Sequence, residues 1–167
     1  MIFITLGTQK QSFERLLDEV ENCRILDNEE IVAQVGYTKY TSEKIKVIDF
    51  LEPEEFNRYI ERSDFVITHG GVGSIFSAIL KGKKVIAMPR LKKYNEHVDD
   101  HQIEICRKLA TLDYIIDYNP DEYLLEEDAP DLEERINFLR SNIFQKYVED
   151  EGYLSKLDRC IEEFFLS

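Results

Sequence analysis

No apolar run in the 167-residue chain approaches the roughly 20 residues that a membrane-crossing helix requires. Charged residues arrive by Lys10, which is unlike a secretory leader. Basic side chains are scarce: 21 Lys and Arg against 34 Asp and Glu leave a formal net charge of −13. That excess argues against non-specific binding to nucleic acid or anionic lipid. Cysteine is sparse as well. Cys23, Cys106 and Cys160 are odd in number and lack paired spacing, so they read as reduced thiols of a cytoplasmic protein. Cys106, among Ile103, Ile105 and Leu109, reads as core packing. There is no internal repeat and no low-complexity linker. The length therefore predicts one domain over residues 1–167, with a core at 1–120 and a helical tail at 121–167.

What is present alternates between two periods. Ile2–Leu6 reads as a strand, followed by a helix whose Phe13, Leu16, Leu17 and Val20 share one face. Ile31–Val35 and Val47–Phe50 read as further strands, and Pro53 suits the first turn of a helix carrying Phe56, Tyr59 and Ile60. A helix from Asp100 to Ala110 and a short strand at Tyr114–Ile116 come later. The pattern predicts an α/β, Rossmann-like parallel sheet with helices on both faces, plus C-terminal helices.

The most informative stretch is Phe65 to Pro89. An apolar strand ends in Thr68, and His69-Gly70-Gly71-Val72-Gly73-Ser74 follows. A helix with Ile75, Phe76, Ile79 and Leu80 then leads to a second strand, Val85 to Met88. This is one βαβ unit. Glycines at such a turn admit a ligand close to the backbone, and a helix opening at Ser74 aims free N–H groups and its positive dipole end at that ligand. A diphosphate suits the place; a turn with a purely structural job is the plainer alternative. The segment is not a Walker A loop, since no Gly-Lys-Ser/Thr closes it. Nor is it the dinucleotide fingerprint, whose glycine spacing differs and which sits on a first strand.

Residues 89–102 form a polar loop leaving the carboxyl end of that second strand, the edge where open α/β sheets bind ligands. Arg90, Lys92 and Lys93 could meet phosphate there. His97 and His101, with Glu96, Asp99 and Asp100 beside them, invite a metal reading. The H-E-x-x-H pattern is absent, however, and the cluster begins in a loop, so no metal is expected.

This order, a strand with His-Gly-Gly, a Gly-Lys-Lys step, a strand ending in Met-Pro and then Asp-His-Gln, resembles the donor-binding C-terminal half of GT-B glycosyltransferases of family 28. The opening MIFITLGTQ resembles a narrower group in which the donor domain is a protein by itself. That group includes the soluble subunit of the eukaryotic UDP-N-acetylglucosamine transferase and bacterial capsule and exopolysaccharide subunits of the PssE type. Phe13-Glu14-Arg15-Leu16-Leu17, Ala33-Gln34-Val35-Gly36 and the Arg-Ser-Asp before the His-Gly-Gly strand fall where this group carries similar segments, so the likeness covers roughly residues 1–110.

The resemblance implies an inverting transfer of sugar from a UDP-sugar to a lipid-linked acceptor in capsular or exopolysaccharide synthesis, with no cofactor. It implies a membrane-anchored acceptor-binding partner that recruits this chain to the inner face of the membrane. Gly7, Thr8, His69, Gly70, Gly71, Val72, Gly73, Ser74, Arg90, Asp100, His101 and Gln102 would hold the donor. His69 is equally readable as a buried strand-end histidine. The base that deprotonates the acceptor belongs to the other domain in two-domain relatives; within this chain, Glu96 and His97 are the candidates. The family's ribose-holding glutamate is replaced by Ser77, which leaves that contact and the sugar open.

Asp121 to Glu134 carries eight acidic residues and no basic one, which reads as a solvated face. Leu132, Ile136, Leu139 and Ile143 mark an amphipathic helix. Beyond Gly152, Ile161, Phe164 and Phe165 either pack back on the domain or dock the partner, as the C-terminal helix does in the eukaryotic relative. Two other roles remain open: a regulatory subunit that enhances a partner's transferase without holding the donor, and an unrelated nucleotide-binding or epimerase-like enzyme on the same architecture.

Overall fold

The computed structural model describes residues 1–122, 130–142 and 144. Six parallel strands form one sheet: β1 (Ile2–Thr5), β2 (Ile31–Gln34), β3 (Ile45–Ile48), β4 (Phe65–His69), β5 (Lys84–Met88) and β6 (Ile116–Asp117). Five α-helices accompany them among the described residues: α1 (Glu14–Asn22), α2 (Pro53–Arg62), α3 (Val72–Ile79), α4 (His101–Thr111) and α5 (Leu132–Ser141). The strand order is β3-β2-β1-β4-β5-β6, so the chain builds outward from β1 on one side and then returns to build on the other. The reversal falls between β1 and β4, whose register pairs Thr5 with Thr68. A crevice therefore opens beyond the carboxyl ends of these two strands.

Strand alternation sorts the core into two layers. Ile2, Ile4 and Leu6 point to the side covered by α1 and α5, where they meet Leu16, Leu17, Val20, Leu132, Ile136 and Leu139. Phe3 points to the opposite side, with Ile60, Ile75, Ile79, Ile105 and Leu109 of α2, α3 and α4. Each such fully buried aliphatic contributes about 1.5–3 kcal/mol of burial free energy. Helix α5 packs Leu132, Ile136 and Leu139 into this core. Its start is fixed by a capping box, in which Asp131 accepts the Glu134 N–H and Glu134 accepts the Asp131 N–H.

Three element starts move by two residues from the sequence expectation, while other ends shift by one. Strand β3 lies two residues earlier than Val47–Phe50. The Ser42 hydroxyl accepts the N–H groups of Lys44 and Ile45, the strand pairs Ile45 with Ile31, and Phe50 is left half-exposed. Helix α3 opens at Val72, not Ser74, because Gly71 is already the extended residue at its start. The last strand begins at Ile116, since Asp113 at φ 59° ends the turn after α4, and Tyr114 and Ile115 pack into the core before the strand begins. Among the described residues, no helix is long and apolar enough to cross a membrane. Ile143, Ile161, Phe164 and Phe165 lie outside the described residues.

Candidate functional site

The crevice at the β1–β4 switch is a cleft of about 440 Å³. Its near wall is the end of β1 and the following loop, with Thr5, Gly7 and Thr8; its far wall is the β4–α3 turn, with His69, Gly71, Gly73 and Ser74. Helix α3 donates its first intrahelical bond from Ile75 to the Gly71 carbonyl. By helix geometry the N–H groups of Val72, Gly73 and Ser74 have no intrahelical acceptor, and the positive end of the dipole lies with them. A Cβ at Gly73 would meet nothing within 4 Å, so this turn is open to an incoming group.

His69 sits between two glycines. A Cβ on Gly7 would lie 2.5 Å from its Cε1, and one on Gly71 would lie 2.1 Å from its Nε2. Gly7 also has φ +73°, which suits glycine alone among common residues. The ring Nδ1 is 3.4 Å from the Thr5 carbonyl oxygen and 3.3 Å from the Thr68 hydroxyl. Burial, helped by the nearby Arg90 charge, pushes the imidazole pKa down to about 4, so the ring is neutral at physiological pH. His69 is thus both a buried strand-end histidine and part of the cleft wall.

Gly70 is glycine for a different reason. A Cβ there would lie 2.9 Å from the Gln102 Cβ and from the Cys106 sulfur. Gln102 is buried, and its Oε1 accepts the Arg90 N–H at 3.1 Å, so the first turn of α4 is seated directly against the glycine turn.

Arg90 is turned into the fold. It is 1% exposed, and its guanidinium donates to the carbonyl oxygens of Leu6, Gln11 and Glu96. Burial lowers its pKa to about 10, which still leaves it charged at neutral pH. Glu96 is likewise engaged: both carboxylate oxygens face Arg15, at 2.9 and 2.7 Å. That bidentate pair occupies both of its oxygens. His97 is buried, with Nδ1 accepting the Asp99 N–H at 3.3 Å and standing 3.1 Å from the Asp99 carboxylate.

His101 is half-exposed and its Nδ1 is hydrogen-bonded to the same Asp99 oxygen, which holds the Asp99 carboxyl below its ordinary pKa. The two rings lie 4.9 Å apart, centre to centre. His97, Asp99 and His101 offer ligand atoms within 4.8 Å of one another and could hold a metal ion. Asp100 does not line the main cleft. Its carboxylate accepts the Lys92 N–H, and it borders a neighbouring hollow of about 280 Å³ with Leu91, Ile103 and Asn119. Ser77 turns its hydroxyl back to the Gly73 carbonyl, 2.8 Å away.

Five residues not singled out as site candidates complete the cleft: Thr5, Gln34, Leu51, Pro53 and Phe56. Gln34 Oε1 accepts the Leu51 N–H at 3.0 Å, joining the ends of β2 and β3. The available signal was Gln34 itself, a polar residue at the carboxyl end of an apolar strand.

The sequence profile of the glycosyltransferase family 28 C-terminal domain matches residues 1–148. A 101-residue stretch is 30% identical to the UDP-N-acetylglucosamine transferase subunit ALG13 of Candida albicans, covering 60% of this chain and 32% of that protein. The human protein of the same name is 24% identical over 119 residues, 65% of this chain and 10% of its own length. The chain thus spans a third or less of these two relatives. Among solved structures, a glycosyltransferase of kitacinnamycin superimposes with TM-score 0.60 at 17% identity, covering 97% of this chain and 38% of that one. The solution structure of ALG13 gives TM-score 0.58 at 22% identity, with 93% of each chain covered. Both superpositions establish the shared fold.

Proposed function

The chain belongs to the glycosyltransferase family 28 C-terminal domain family, and from that premise we propose that it is the donor-binding, catalytic subunit of an inverting glycosyltransferase. Its donor is a UDP-sugar, and its acceptor is a lipid-linked saccharide in capsular or exopolysaccharide synthesis. The observation that carries the reading is the cleft at the β1–β4 switch, where the open first turn of α3 faces a space lined by Gly7, Gly71 and Gly73. Three free N–H groups and a helix dipole are what a departing diphosphate needs for charge stabilisation.

In the reaction, the acceptor oxygen forms a bond to the anomeric carbon as the bond from that carbon to the diphosphate oxygen breaks. The electron pair leaves with UDP, and the acceptor proton passes to a base. With Glu96 held by Arg15 and His97 buried against Asp99, the base is assigned to the acceptor-binding partner. That partner carries the membrane anchor and recruits this cytoplasmic chain to the inner face.

A non-catalytic enhancer is the second reading; the built cleft favours the first. Calorimetric titration with UDP and a panel of UDP-sugars, on the chain alone and co-expressed with its partner, tests the assignment and names the sugar. Transfer by the pair with a donor Michaelis constant untouched by Gly73→Ala would favour the enhancer.

A further inference from the structure

Glu96 lies 5% exposed in the loop after β5, and both of its carboxylate oxygens are hydrogen-bonded within the fold. Oε1 receives the Arg15 Nε–H at 2.9 Å; Oε2 receives Arg15 Nη2–H at 2.7 Å and the Leu91 N–H at 2.9 Å. Arg15 stands on α1. Its Nη2 also reaches the Pro89 carbonyl at 2.9 Å, and its Nη1 reaches Asp121 at 3.3 Å. One planar fork therefore grips Glu96, the end of β5 and the segment after β6 together. Arg90 runs the opposite way. Its guanidinium donates to Leu6 at 2.7 Å, Gln11 at 2.8 Å and the Glu96 carbonyl at 3.1 Å, over the Phe13 ring at 4.7 Å. Its own N–H goes to Gln102.

These bonds join two loops that are far apart in sequence. Residues 6–13 carry Gly7 and Thr8, one wall of the cleft. Residues 89–102 end in Gln102, which packs under Gly70 beside the other wall. We infer that Arg15 and Glu96 are positioning residues of the donor site: a largely buried, bidentate ion pair that, with Arg90, holds the two loops in one fixed arrangement around the cleft. The inference rests on the donor-binding reading above. A ligand entering walls already ordered loses less affinity to loop ordering than one that must order them itself. Without the Arg15 fork Glu96 is a buried charge stripped of its counterpart, and without the Glu96 charge Arg15 keeps only Asp121, at 3.3 Å; in the first case the loop can recover solvation only by moving. Lysine cannot replace Arg15, because a point charge cannot reach Glu96, Pro89 and Asp121 at once.

The test uses the full chain with UDP as probe, titrated well below the melting temperature of each variant. Arg15→Lys and Glu96→Gln are compared singly and together, with amide hydrogen exchange recorded on the same samples. Each single change is expected to weaken UDP binding about tenfold, and the double change no further than the worse single, since both break one contact. Amides of residues 6–13 and 90–97 are expected to exchange faster together while the sheet stays protected. A merely structural pair would lower the melting temperature and leave the UDP affinity of the folded chain within about twofold; that result overturns the inference. Faster exchange in only one of the two loops also overturns it. An unaltered chain that takes no UDP, alone or with its partner, overturns the donor reading instead, and the exchange comparison still decides whether this pair joins the loops.

Discussion

The imidazole of His69 occupies the space that a side chain at Gly71 would need: a Cβ there would lie 2.1 Å from Nε2. The glycine turn is therefore set by packing at one position and by openness at another. Gly71 is closed by its neighbour, whereas Gly73 has nothing within 4 Å. The two glycines make opposite predictions.

Gly71→Ala should destabilise the fold by about 1–3 kcal/mol, as overpacking does in a filled site. His69, buried and hydrogen-bonded, has little room to yield. Chemical denaturation of the variant checks this; a loss below about 0.5 kcal/mol would mean that the ring swings aside freely.

Gly73→Ala should leave the fold intact or stabilise it by up to about 1 kcal/mol, since the position is helical and its Cβ meets no atom. On the proposed donor-binding reading, the same methyl stands where the diphosphate approaches the backbone. UDP affinity should fall about tenfold or more while the melting temperature holds. Loss of both together would point to a structural glycine.

His69 makes stability depend on pH in a defined window. Its folded pKa of about 4 lies below the ordinary 6.5, so the unfolded chain binds the proton more readily. The contribution of the neutral ring is present in full above pH 6.5 and is lost as pH falls toward 4, up to about 3 kcal/mol. Denaturation midpoints at pH 7.5 and 5 should diverge more for the unaltered chain than for His69→Asn. Equal divergence would remove His69 as the cause.

The diphosphate is held by N–H groups and a helix dipole in this account, so UDP affinity should change less than about twofold between chelator and millimolar magnesium. His97, Asp99 and His101 make the alternative concrete. A strong loss of binding on chelation, reproduced by His101→Ala, would assign those three to a metal.

Much of this was legible in the sequence because the decisive signals are local. The strand, glycine turn and helix of Phe65–Ile79 are consecutive, so periodicity and glycine placement suffice. The family likeness rests on the same short motifs. What escaped was long-range. Arg15 and Glu96 are separated by 81 positions, and nothing in either neighbourhood shows that one will neutralise the other. Glu96 read as a possible base for that reason. Gln34, Leu51 and Phe56 join the cleft only once β2 and β3 lie parallel beside β1. Arg90 looked like a phosphate ligand because its type and loop suit one; the carbonyls of Leu6 and Gln11 that take its protons come from the other end of the fold.

The central claim is that the open turn of α3 binds the donor diphosphate. Titrating UDP into the chain, alone and with its partner, and repeating both with Gly73→Ala, tests it most directly. The account predicts saturable one-to-one binding that the variant weakens at unchanged melting temperature. Absence of UDP binding in both forms, or binding indifferent to Gly73→Ala, would contradict it.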